Sequence, residues 1–163
     1  MTNSFTMIIA GIDMTITFNH SRLCQLLSQR YSTFLTQSTA EFNIQVTWEK
    51  TSQTGDFILP EFTFTDYGIH LASPGYTGFI DFTSHRADLE IMISTPVEAV
   101  DYFLRVVSAL LIFEASGIMV HGAGILHKGK GYLFFGHSGS GKTTVSKVSV
   151  NDIVLNDDLV VLM

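Results

Sequence analysis

Gly131-Tyr132-Leu133-Phe134-Phe135-Gly136-His137-Ser138-Gly139-Ser140-Gly141-Lys142-Thr143-Thr144 is the stretch on which the reading of this chain turns. Residues 136–143 fit G-x-x-x-x-G-K-[ST] at every fixed position, a pattern expected by chance in about one chain in a few hundred. Glycines let the backbone wrap closely and turn its N–H groups inward, making a nest for anionic phosphate oxygens. In such a loop Lys142 is a point charge on the β- and γ-phosphates, and the Thr143 hydroxyl is a ligand of Mg²⁺. The flanks supply the context that the motif requires. Gly131 to Phe135 is apolar and aromatic and reads as a buried strand. Thr143 to Val148 can start a helix, which aims its positive dipole end at the phosphates. The plainer reading is a Gly/Ser-rich turn that binds nothing, and the chance rate weighs against it.

Downstream, Ile153-Val154-Leu155 reads as a buried strand that runs into Asn156-Asp157-Asp158 and then Leu159 to Leu162. An apolar strand ending in acid, soon after a phosphate loop, is what a metal-holding carboxylate needs, and a hard oxygen ligand suits Mg²⁺. Two adjacent carboxylates permit a division of labour, one near the metal and the other a base for an attacking hydroxyl; which is which stays open. Taken alone the pair is an acidic turn between two strands. His121 stands at a strand end before Gly122-Ala123-Gly124, where backbone can approach a ligand. Its imidazole could donate to a phosphate, bind metal or shuttle a proton, or simply be satisfied at the strand end. His137 occupies a variable position of the loop, facing a γ-phosphate, an acceptor or solvent. His20, His70, His85 and His127 show no metal spacing and read as structural or surface residues.

Composition narrows the classes. The 163 residues are 46% hydrophobic and 15% charged, which describes a folded chain and not a disordered one. The net charge of −6, with no basic cluster, argues against nucleic acid as a partner. A single cysteine, Cys24, makes no intrachain disulfide and fits a reducing, cytoplasmic setting. No basic n-region precedes the first apolar run, which Asp13 interrupts, and no apolar stretch reaches membrane-spanning length, so no membrane partner is expected.

Along the chain, Phe5–Ala10 and Ile12–Phe18 read as strands, or as one long strand bent at Gly11. Ser21 is a plausible N-cap for an amphipathic helix over 22–35. Phe42 to Trp48 alternates as a half-buried strand, and Thr51–Gly55 reads as a loop. Further strands are expected at Phe57–Phe64, Gly68–Leu71, Tyr76–Phe82 and Ala87–Ile93. At Ser94-Thr95-Pro96 the character changes to an apolar helix that Gly117 stops. Ile118–Val120 and Ala123–Leu126 are strands, and Lys128–Gly131 is a tight turn. The expected organisation is residues 1–94 as a mostly antiparallel β region with one helix and no assigned role, and 95–163 as a nucleotide-binding core.

His121-Gly122-Ala123-Gly124-Ile125-Leu126, the Gly-bearing turn, Gly131 to Phe135, the phosphate loop and Val154-Leu155-Asn156-Asp157-Asp158 together resemble the core of HPr serine kinase/phosphorylase. Phe134 to Thr144 is also similar to the kinase loop of ATP-dependent phosphoenolpyruvate carboxykinases. The resemblance covers residues 117–162 and implies a mixed α+β fold with the phosphate-loop core thought to be shared by those two families. It implies that Gly136, His137, Ser138, Gly139, Ser140, Gly141, Lys142, Thr143 and Thr144 bind ATP. It implies that Thr143 with Asp157 or Asp158 holds Mg²⁺, and that His121, Asp157 and Asp158 are the catalytic set. The implied activity is ATP-dependent phosphoryl transfer to a hydroxyl of a protein or small molecule. A non-catalytic nucleotide-binding module is the second reading, and a carboxykinase the third. Two departures stand out: His137 replaces an acid of the kinase and an apolar residue of the carboxykinase, and the chain stops at Met163 where both families continue. A fragment, a truncated gene product or a degenerate member is therefore expected, and an exposed final strand at Leu159–Leu162 would invite pairing with another chain, giving a homo-oligomer.

Overall fold

The computed structural model describes residues 3–49 and 56–163. The expected loop at Thr51–Gly55 lies outside the described residues. The fold is mixed α+β, with three α-helices and twelve strands in two sheets among the described residues. The chain divides into two compact units, 1–108 and 109–163. The division falls within a helix, further along than the change of composition near residue 95.

The first unit is built on an eight-stranded sheet. β1 (Ser4–Ile9) and β2 (Ile12–Phe18) form a hairpin, not one bent strand, because Ala10 and Gly11 take φ of 52° and 82°, the pair of left-handed residues that a two-residue turn needs. Helix α1 (Ser21–Arg30) follows, then a 3₁₀ turn (Ser32–Phe34) and the short strand β3 (Leu35–Thr36). The N-cap is His20, with no side-chain capping bond, so Ser21 is the first helical residue and not the cap. The remaining strands are β4 (Phe42–Trp48), β5 (Glu61–Phe64), β6 (Gly68–Ser73), β7 (Tyr76–Asp81) and β8 (Arg86–Ile91). Their order is β3-β1-β2-β4-β8-β7-β6-β5.

The region is mostly antiparallel, as expected, with its exceptions at the centre of this sheet. β4 runs parallel to both β2 and β8. The first pairing follows a crossover through α1, which parallel neighbours require; the second follows the β5-β6-β7 meander, which returns the chain in the same direction. Alternation decides the faces. Met14, Ile16, Phe18, Phe42, Ile44, Val46, Ala87, Leu89 and Ile91 are buried, while Asn43, Arg86, Asp88 and Glu90 are exposed. Helix α2 (Pro96–Glu114) brings Phe103 over Gly78 and Ser108 beside Met14, so its first part belongs with this sheet.

Asp101 of α2 accepts hydrogen bonds from Tyr31 Oη at 2.7 Å and Arg30 Nε at 3.1 Å, tying α1 to α2. Burial, with Asp101 adding to it, pushes the Tyr31 hydroxyl well above its ordinary value of 10.0. Burial likewise pushes Tyr76, which donates to the Ile58 carbonyl at 3.1 Å, up to about 12. Folding therefore favours the protonated phenols. Their contribution is complete below pH 10 and is lost as pH rises from there through the folded values, because the unfolded chain ionises first. The urea midpoint is expected to hold steady up to about pH 10 and fall above it, less steeply in Tyr31→Phe. Parallel declines in the two proteins would contradict this account.

The second unit contains β9 (Ile118–His127), β10 (Lys130–Phe135), α3 (Lys142–Val148), β11 (Ile153–Asn156) and β12 (Leu159–Leu162). β9 is its spine and carries β10 on one side. β11 pairs with the second half of β9 and β12 with its first half, all antiparallel. One expectation is corrected here. β10 and β11 are not buried strands: Phe135 is 73% exposed and Ile153 61%. The final strand, Leu159–Leu162, pairs with Ile118–His121 on one edge and buries Val160. Among the described residues no helix is long and apolar enough to cross a membrane.

Candidate functional site

A two-residue turn launches the site. Lys128 and Gly129 take φ of 48° and 76°, joining β9 to β10 in register Lys130↔His127. β10 ends at Phe135 and the chain enters the loop at Gly136. Gly139 and Gly141 take φ of 81° and 92°, conformations that side chains resist, and the Ser140 amide donates to the His137 carbonyl at 3.1 Å. The helix then begins at Lys142, with the Val145 amide donating to the Gly141 carbonyl at 2.9 Å. Strand, loop and helix thus follow one another as the motif requires.

The lysine is turned inward. Lys142 Nζ donates to the carbonyls of Gly136 at 2.8 Å and His137 at 3.1 Å, and the residue is 9% exposed. Its charge is held at the centre of the loop by backbone oxygens, a contact that phosphate oxygens can replace.

The acids arrive by a side-chain-locked turn. Asn156 Oδ1 accepts from the amides of Asp158 at 2.9 Å and Leu159 at 3.3 Å, bending β11 into β12. A register shift between Val154 and Asn156 lets both strands share β9. Leu159 then faces His121 across the ladder, and the Gly122 amide donates to the Asp158 carbonyl at 3.0 Å. This register brings His121 Nδ1 to 3.1 Å from Asp158 Oδ1, with both side chains more than half exposed.

One cleft of about 440 Å³ collects these groups: His121, Asp157 and Asp158 line it together with Ser138, Gly139, Gly141, Lys142, Thr143 and Thr144. Three sequence-expected residues do not line it. Gly136 and His137 contribute carbonyls to Lys142, and the exposed His137 turns its Nδ1 to the Ser138 carbonyl at 2.7 Å. Ser140 lines a neighbouring hollow instead. Among the described residues no group of three or more His, Cys, Asp and Glu side chains is arranged to hold a metal. Gly122 and Gly124 serve strand packing: a Cβ at Gly122 would lie 2.9 Å from the Phe134 carbonyl oxygen, and one at Gly124 3.1 Å from Val160.

Two features escaped the sequence reading. Asn156, the hinge of the acidic turn, was legible in principle, because Asn before a pair of Asp residues is a turn former. The pairing of His127 Nδ1 with Asp152 Oδ1, at 2.6 Å, joins the ends of β9 and the segment before β11. No local pattern announces it, since the residues lie far apart in sequence. No family model matches the chain, and no curated protein or solved structure matches it either.

Proposed function

We propose that residues 136–144 bind the phosphates of ATP and that this chain transfers the terminal phosphoryl group to a hydroxyl, as an HPr-kinase-like phosphotransferase. The observation that carries this reading is the shared cleft: the motif's Lys142 and Thr143 line it beside His121, Asp157 and Asp158. Phosphoryl transfer asks little covalent chemistry of a protein; it asks for positioning and for charge where the transferring oxygens lie. Lys142 and the amides of Gly139 and of Gly141 to Thr144 supply the positive cradle. An aspartate takes the proton of the attacking hydroxyl as its oxygen bonds to the γ-phosphorus, and the bond to the β,γ-bridging oxygen breaks to release ADP. The contact of Asp158 with His121, which would orient the carboxylate, supports Asp158 for that role. Asp157 then remains for the metal.

The donor set fits Mg²⁺: the Thr143 hydroxyl and the Asp157 carboxylate are hard oxygens on one cleft, and Mg²⁺ takes its other ligands from phosphate and water. When bound, the ion neutralises charge on the β- and γ-phosphate oxygens. The open character of the His121–Asp158 pair, at 61% and 56% exposure, favours a second reading in which the chain binds nucleotide without catalysis, since a base acts best where water is excluded.

Titration calorimetry with ATP and Mg²⁺ tests what both readings share. The wild type is expected to bind, and Lys142→Ala to lose at least tenfold in affinity. A null result for both proteins would remove the nucleotide from the account. Release of phosphate, or its transfer to a hydroxyl-bearing acceptor, separates the phosphotransferase from the binding module.

A further inference from the structure

Beside the phosphate loop lies a second hollow of about 260 Å³, walled by Leu133, Phe134, Phe135 and Val145 and bounded on the loop side by Ser140, Gly141 and Lys142. Its walls are largely aromatic and aliphatic, whereas the cleft of His121 and the aspartates is polar. The two share Gly141 and Lys142, so they form one continuous surface that passes from acid and hydroxyl groups, over the loop, to exposed rings. Phe135, 73% exposed, immediately precedes Gly136, and Phe134 is 38% exposed. An aromatic ring left in solvent next to an anion cradle calls for a ligand that is flat and apolar at one end and charged at the other.

We propose that this hollow receives the base of the nucleotide, an inference that rests on the nucleotide-binding reading above. The reacting phosphate belongs at the end of the loop that carries the carboxylates and His121, so the ribose and base leave by the other end. There the open ring of Phe135 offers a stacking platform and Val145 an aliphatic wall. Bases stack on such rings irrespective of their edge chemistry. The hollow is too small for a whole nucleotide, and its polar groups, Ser140 and Lys142, belong to the phosphate loop at its edge; a single ring system is the part that suits the rest. The ligand class is therefore a nucleoside triphosphate and not an inorganic polyphosphate.

The test compares ATP with inorganic tripolyphosphate, each with Mg²⁺, by titration calorimetry on the whole chain. The wild type is expected to prefer ATP by about tenfold or more. Phe135→Ala is expected to bring ATP down to the level of tripolyphosphate without changing tripolyphosphate itself. Because Phe135 is exposed, the substitution leaves the core untouched, and Phe135→Trp provides a second reading: it keeps the preference, and its emission is quenched by ATP but not by tripolyphosphate. Equal affinities in the wild type, or a preference that survives Phe135→Ala, overturn the base site while leaving the phosphate loop standing. Failure of both ligands to bind overturns the loop reading and the base site together.

Discussion

Asp157→Asn combined with Asp158→Asn is expected to reduce phosphoryl transfer by on the order of a thousandfold or more while ATP still binds. The two carboxylates line the cleft, while Lys142 is tethered by the carbonyls of Gly136 and His137, and the acidic turn is locked by Asn156 Oδ1. Asparagine keeps the shape of each side chain and removes its charge, so the turn survives. The single variants divide the roles. If Asp158 is the base, Asp158→Asn loses the acidic limb of the pH–rate profile and gains nothing from added Mg²⁺. If Asp157 carries the metal, the loss in Asp157→Asn is partly recovered by raising Mg²⁺, because a weakened site fills by mass action. His121→Gln, which removes the imidazole 3.1 Å from Asp158, is expected to follow Asp158→Asn in kind and to fall short of it in size. Transfer that persists within about tenfold of wild type in the double variant would show that neither acid takes the proton or the metal.

How much of this was legible beforehand depends on whether the signal was local. The loop is a contiguous motif, and its strand–loop–helix setting emerged as expected from Phe135, the two left-handed glycines and Lys142. The alternation in β4 and β8 likewise announced their buried faces, Phe42, Ile44 and Val46 against Ala87, Leu89 and Ile91. Strand direction carried no such mark. A parallel β4–β8 pair depends on where the intervening meander returns the chain, and the same alternating residues would suit either direction. Apolar content also misled at the ends of the second sheet. Ile153, Leu155 and Phe135 read as buried because runs of such residues usually are, yet all three are more than half exposed. The site itself was half legible. Asp157, Asp158 and His121 were chosen by residue type, but their meeting in one cleft follows from β9 pairing with β12 in the register Leu159↔His121, a long-range fact.

The second large effect is on stability. Phe103→Ala is expected to destabilise the first unit by about 3–5 kcal/mol, much of a typical domain's total of roughly 5–15 kcal/mol. Phe103 is fully buried, and its ring lies against the sheet at a place where β7 carries no side chain: a Cβ at Gly78 would stand 2.6 Å from Phe103 Cε2. The glycine is there for space, since its φ is not left-handed and alanine can adopt its backbone. Gly78→Ala alone is therefore expected to destabilise by about 1–3 kcal/mol through overpacking. The two losses should not add. With the ring gone the new methyl enters the vacated volume, so the double variant is expected to be more stable than the sum of the singles by about 1 kcal/mol or more, and close to Phe103→Ala itself. Urea denaturation of the four proteins measures the coupling. Additive losses would mean that the ring and the glycine do not meet, and that α2 owes its place on the sheet to its other buried residues, Val100, Leu104 and Val107.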